Sequence, residues 1–171
     1  AGVPLSEKNL AEVLGPAGYT TMAVGKWHMG THPTLRPLVR GFDEFFGFLS
    51  GGHRYFPEEL TLQDFSEVKA HGEWYRTKLL RNDQRIEIKE YLTDELSNAA
   101  VDFIDRNQTN PFFLYLAYNA VHAPAEAPEE DIDAYRSKFP GITKERVILM
   151  AMLKHLDDGV GDVVGKLKQE G

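Results

Sequence analysis

The chain has 171 residues, a net charge of −7 and no cysteine, a length that holds one domain with a real core or a piece of a larger one. The negative balance and the lack of any long basic run exclude a general nucleic-acid binder, and the missing thiols exclude disulfides, thiolate metal sites and a cysteine nucleophile among these residues. No apolar run is long enough to span a membrane, no signal-peptide pattern opens the chain, and a first residue of Ala rather than Met suggests a processed or cut start.

Ser6 to Leu14 reads as a short helix, with Ser6 as N-cap and Leu10, Val13 and Leu14 on one face. Gly15-Pro16 stops it, Gly18 turns the chain, and Tyr19 to Val24 follows as an internal strand. The Gly18–Gly30 stretch then reaches Gly25-Lys26-Trp27-His28. If strand geometry persists there, Lys26 and His28 point to the same side and Trp27 to the other. A fixed cation beside a titratable imidazole suits holding an anion and moving a proton. The plainer alternative is a strand ending in an exposed Lys and a packed His.

His32 to Arg40 is a proline-bearing loop, and the aromatic run Gly41–Phe48 is expected to pack as a loop on the sheet. Ser50-Gly51-Gly52-His53-Arg54-Tyr55 reads as a flexible polar turn, suited to substrate or anion contact and equally to a plain surface loop. Pro57 to His71 is acidic and irregular. Trp74–Leu80 and Arg85–Lys89 read as a hairpin outside the central sheet.

Thr93 to Asn107 is the clearest helix, capped by Thr93 and burying Leu96, Ala99, Ala100, Phe103 and Ile104. The apolar run Phe112–Tyr118 reads as a strand buried on both faces of a mostly parallel sheet, delivering Asn119-Ala120-Val121-His122-Ala123-Pro124 at the end where such sheets bind ligands. Pro128 to Tyr135 forms a short acidic helix. Thr143 to Gln169 forms a long one, with Leu149, Leu153, Leu156, Val160, Val163 and Leu167 on one face and Gly159, Gly161 and Gly165 allowing close packing or a kink. The fold class is α/β: a partial, mostly parallel sheet flanked by helices, with a peripheral β-hairpin inside an insertion at about 57–89 of a single partial domain over 1–171.

With these pieces in order, the sequence resembles the sulfatase family of the alkaline phosphatase superfamily. Gly18-Tyr19-Thr20-Thr21 through Gly25-Lys26-Trp27-His28-Met29-Gly30 is similar to the second sulfatase signature, and Gly41–Gly47 to the block that follows it. Pro111–Asn119 with His122 and Pro124 is similar to the strand that delivers an active-site His, and Leu156–Gly161 matches as well. The resemblance implies an incomplete N-terminal sulfatase domain and hydrolysis of sulfate esters by a formylglycine, with Ca2+ held by acidic residues and an Asn. It implies that Lys26 binds the sulfate, that His28 hydrogen-bonds the formylglycine diol and helps expel sulfate, and that His122 binds the ester oxygen and acts as leaving-group acid. Ser50 and His53 lie where family members often contact substrate.

The departures carry equal weight. No Cys occurs and no Ser stands in a Ser-x-Pro-x-Arg context, so the formylglycine motif is absent. The family's acidic metal residues belong before residue 1 and after Gly171, while Asp157 and Asp158 fall inside a helix and are not ligands. No metal site is expected here, His32, His71 and His155 are expected at surface or packing positions, and an internal fragment inactive alone is the implied state. Fragments of a related phosphodiesterase or phosphonate hydrolase, or a non-catalytic binding module, are the alternatives. The partner is a sulfate ester, with oligomerisation through exposed sheet edges also anticipated. The family leans towards periplasmic, secreted or lysosomal proteins.

Overall fold

The computed structural model describes residues 2–170. Among these described residues, five strands form one sheet, β1 (Thr20–Lys26), β2 (Glu44–Phe48), β3 (Leu79–Arg81), β4 (Gln84–Ile86) and β5 (Phe112–Ala117), in the order β4-β3-β2-β1-β5. β1 runs parallel to both β2 and β5, while β3 and β4 are antiparallel. The α-helices that accompany it among the described residues are α1 (Leu10–Leu14), α2 (Leu92–Arg106), α3 (Glu129–Lys138) and α4 (Lys144–Glu170).

Period-two alternation along β1 and β2 splits the core in two. Met22, Val24, Phe46 and Phe48 meet Leu92, Leu96 and Phe103 of α2 and Met152 of α4. Ala23 and Phe45 meet Ala11, Trp27, Phe42 and Leu49 on the opposite face. The expected stripe of α2, Leu96, Ala99, Ala100, Phe103 and Ile104, is buried throughout. Gly159 of α4 presses against α2, where an added Cβ would lie 2.1 Å from Ser97 Oγ, but Gly161 and Gly165 face open space.

Several expectations are corrected. Asn9, not Ser6, caps α1: its side chain accepts from Glu12 N at 3.1 Å while the Glu12 carboxylate accepts from Asn9 N at 2.9 Å. That late start buries Ala11 and leaves Leu10 and Val13 exposed. The aromatic run after Asp43 is a central strand rather than a loop, because β1 and β3 pair its two edges. The hairpin is shorter than expected and, through β3, extends the sheet instead of lying off it. Leu92 to Arg106 has Tyr91 at its N-cap, and Thr93 lies inside the helix. β5 is an edge strand and only half-buried, with Tyr115 37% exposed. The buried face of α4 carries Val147, Ala151 and Met152, while Leu153, Val160 and Leu167 face outwards.

Candidate anion-binding site at the strand ends

The parallel strands β1, β2 and β5 end on the same side of the sheet, so the segments that follow them emerge together. They approach unusually closely. Gly25, with φ +98, pairs Gly47 on one side and Ala117 on the other, and a Cβ there would lie 2.0 Å from the Ala117 oxygen. Only glycine fits that position.

Regular strand geometry ends at Lys26, and His28 adopts φ +52, so the extended continuation considered above does not hold through His28. Trp27 still makes one more ladder bond, its N donating to Phe48 O at 2.9 Å. Its ring is buried in the opposite core, with Nε1 donating to Leu35 O at 2.8 Å. The indole therefore anchors the turn from below, while Lys26 and His28 make no side-chain hydrogen bond or ion pair among the described residues.

These two side chains, Ser50 and His122 line one cavity of about 610 Å³, together with Trp74 and Tyr75. The adjacent Gly51 and Gly52 seat the two imidazoles. A Cβ on Gly51 would lie 2.7 Å from His28 Nε2, and one on Gly52 would lie 2.8 Å from His122 Nδ1. Ser50 lies beside them, but its hydroxyl donates to Gly52 O at 2.7 Å and so braces the turn.

The loop carrying His122 is pinned from several directions. Tyr55 OH donates to His122 O at 2.8 Å, and His122 N donates to Asn119 O at 2.8 Å. Asn119 Nδ2 in turn donates to His53 O at 2.8 Å, and Tyr91 OH donates to Glu126 O at 2.7 Å. The Arg54 guanidinium pairs with both Glu126 and Glu59. Burial raises the Glu126 carboxyl above its ordinary range, and the Arg54 bond opposes that rise. His122 Nδ1 lies 2.6 Å from Ala123 O, a geometry that requires the nitrogen to donate and leaves Nε2 as the working atom.

His53 is not brought into this group. It is 0% exposed, its ring packs 4.8 Å from Phe48, and its Nδ1 lies 3.1 Å from Arg54 O. Burial lowers its pKa to about 4. Its connection to the site is its backbone carbonyl, which holds Asn119. The Ser50–Tyr55 turn is accordingly a packed connector rather than a flexible loop, with Ser50, Gly52, His53 and Tyr55 all buried. Sequence reasoning missed the seating role of Gly51-Gly52 and the wall formed by Trp74 and Tyr75. The Gly-Gly dipeptide was the available signal for the first.

Among the described residues, no three His, Asp or Glu side chains cluster to hold a metal ion. No helix among them is long and apolar enough to cross a membrane.

Lys and His side chains thus gather at the ends of the parallel strands of a mixed α/β sheet, the place where such sheets offer a ligand cleft. The sequence model of the family described as Sulfatase matches residues 1–171, and the chain belongs to that family. It is 35% identical to N-acetylgalactosamine-6-sulfatase of Sus scrofa, over 98% of this chain and 30% of that protein. It is 30% identical to the uncharacterized sulfatase YdeN of Escherichia coli (strain K12), over 99% of this chain and 31% of that protein. The crystal structure of Ps i-CgsB in complex with k-i-k-neocarrahexaose superposes with a TM-score of 0.87 at 41% identity, covering 99% of this chain and 38% of that one. The chain thus spans about a third of the length of the curated relatives it matches.

Proposed function

We propose that this chain supplies the sulfate-gripping part of a sulfatase that acts on sulfated saccharides. The observation that carries the proposal is the gathering of Lys26, His28 and His122 around one cavity at the ends of parallel strands. The saccharide assignment draws support from the 35%-identical N-acetylgalactosamine-6-sulfatase and the 41%-identical chain solved with an oligosaccharide.

The chemistry follows from charge. Cleaving a sulfate ester leaves negative charge on the sulfuryl oxygens and on the departing alkoxide. Lys26 offers a fixed positive charge to the former, in a cavity where a preorganised cation acts strongly. His28 offers a hydrogen bond to the same group. His122 is oriented through Nδ1, so Nε2 faces the task of protonating the leaving oxygen.

The formylglycine and Ca2+ implied by family resemblance do not fit on these residues, which hold neither a Cys nor a Ser-x-Pro-x-Arg motif nor an acidic cluster among those described. No step here runs through them. This chain's part is binding and proton transfer, and the 171-residue chain alone is expected to release no sulfate.

The test is release of sulfate from 4-nitrophenyl sulfate. The full-length protein that carries this chain turns it over, and the isolated chain does not, even with calcium added. Turnover by the isolated chain contradicts this division of roles; no turnover by the full-length protein on aryl or saccharide sulfates contradicts the sulfatase reading.

A further inference from the structure

A second cavity, of about 460 Å³, adjoins the first and shares Tyr75 and His122 with it. That volume lies in the range of small-molecule sites. Its walls include Arg54, His71, Glu73 and Arg76. The two cavities meet at Tyr75, whose ring lies edge-on to His122 with centroids 6.1 Å apart. A ligand chain leaving the sulfate cavity past His122 therefore enters the second one.

The wall between them is built before any ligand arrives. Glu73–Arg76 form a 3-10 turn. Arg54 N donates to Tyr75 O at 2.9 Å and Leu62 N donates to Arg76 O at 3.0 Å, which clamps the turn between two other segments. His71 braces Trp74 edge-on, with ring centroids 4.8 Å apart. Rigid aromatic faces of this kind suit the apolar C–H faces of a pyranose, and their preorganisation lowers the entropy lost on binding.

The charges in the second cavity are unequally available. Two carboxylates already engage Arg54. The Glu73 carboxylate accepts from the backbone N of Lys69 at 2.7 Å and of Ala70 at 3.0 Å, so it is turned onto its own loop. The half-buried Arg76 guanidinium makes no hydrogen bond or ion pair among the described residues. A planar fork of donors left free in a cleft matches a sulfate or carboxylate group.

We propose that this second cleft is a sugar subsite, which holds the saccharide unit adjoining the sulfate-bearing one and pairs an anionic substituent on that unit with Arg76. The proposal rests on the sulfatase reading for the identity of the first cavity. It assigns to the 57–89 segment, which carries Trp74, Tyr75 and Arg76, a part in choosing polymeric over small substrates.

The experiment uses the full-length protein and two probes, k-i-k-neocarrahexaose and 4-nitrophenyl sulfate. Calorimetric titration of the hexasaccharide reads the subsite whether or not turnover occurs. R76A is expected to weaken hexasaccharide binding about tenfold or more, the scale of a lost charge-assisted hydrogen bond. R76K, which keeps the charge and loses the fork, is expected to fall between R76A and the unaltered protein. Turnover of the aryl sulfate, which carries no second sugar, stays within about twofold, as a group outside the reacting cavity requires. Equal hexasaccharide affinity in R76A and the unaltered protein overturns the subsite, as does an equal loss on both probes or failure of the unaltered protein to bind the hexasaccharide. Absence of aryl and saccharide sulfate turnover with Arg76-dependent binding intact overturns the sulfatase reading instead.

Discussion

The strand-end cavity and the helical layer both carry histidines, and they hold them in opposite ways. In the cavity, His28 and His122 are exposed and their rings rest against glycines, and the His122 backbone is held by Tyr55 and Asn119. In the helical layer, His155 of α4 is clamped between Asp94 of α2 and Asp131 of α3, at 2.8 and 2.9 Å. Both ring nitrogens of His155 are engaged, so it ties three helices together and has no nitrogen left for chemistry. The difference teaches that a histidine's role is set by whether its ring nitrogens are already engaged in structural contacts.

Four substitutions or titrations sharpen this contrast. The largest effect is expected in the cavity. Lys26→Ala or His122→Ala in the full-length protein should lower turnover by about 10²–10³-fold, the scale of losing one preorganised charge or general acid. Thermal stability should hardly change, because neither side chain supports packing. A stability loss matching the activity loss would place both residues in the scaffold instead.

His53 comes next, beneath the cavity. Burial holds its pKa at about 4, against 6.5 ordinarily, so the folded chain keeps a neutral ring that the unfolded chain protonates. Stability is therefore full above pH 6.5 and is lost as pH falls towards 4, by roughly 3 kcal/mol over that window. Urea unfolding at pH 7 and pH 4.5 checks this, with His53→Met expected to flatten the difference. An unchanged pH dependence in His53→Met assigns the acid sensitivity to other groups.

Gly51→Ala tests the seating of His28. The new methyl would enter the space of the imidazole end, which is exposed and free to swing away. Turnover should fall about tenfold through misplacement, with little loss of stability. Unchanged turnover would show that His28 does not need this seat.

The smallest effect is expected at His155. The Asp94 hydrogen bond raises its pKa, burial opposes this, and Asp131 adds to the rise. Its stabilisation is thus fully present below the unfolded value of 6.5 and is lost as pH rises through the raised folded value. His155→Asn should cost more thermal stability at pH 6 than at pH 9, with turnover of the folded protein unaffected. A larger cost at pH 9 would reverse the assignment.

Much of this organisation was legible in sequence where the deciding contacts are local. The stripe of α2 is one example, because Leu96, Ala99 and Phe103 recur at helical spacing and share a core cluster with the strands. The Gly25–His28 block and the strand before His122 pointed to the cavity through their similarity to family motifs. The hidden parts depend on partners distant in the chain. α4 carries apolar residues on two faces, and only packing against α2 shows that Met152 turns inwards while Leu153 turns out. β2 has Phe on both sides and no alternation to mark it, since both of its faces are covered. The role of His53 was equally hidden, because burial against Phe48 is not a property of a Gly-Gly-His tripeptide.

The most direct test of the central claim is a titration of the full-length protein with inorganic sulfate, followed by NMR of the histidine ring protons and the Lys26 side chain. A shared anion site predicts that Lys26, His28 and His122 respond together with one apparent affinity, while His53 and His155 stay still. Separate affinities for His28 and His122, or a response confined to His155, would contradict it.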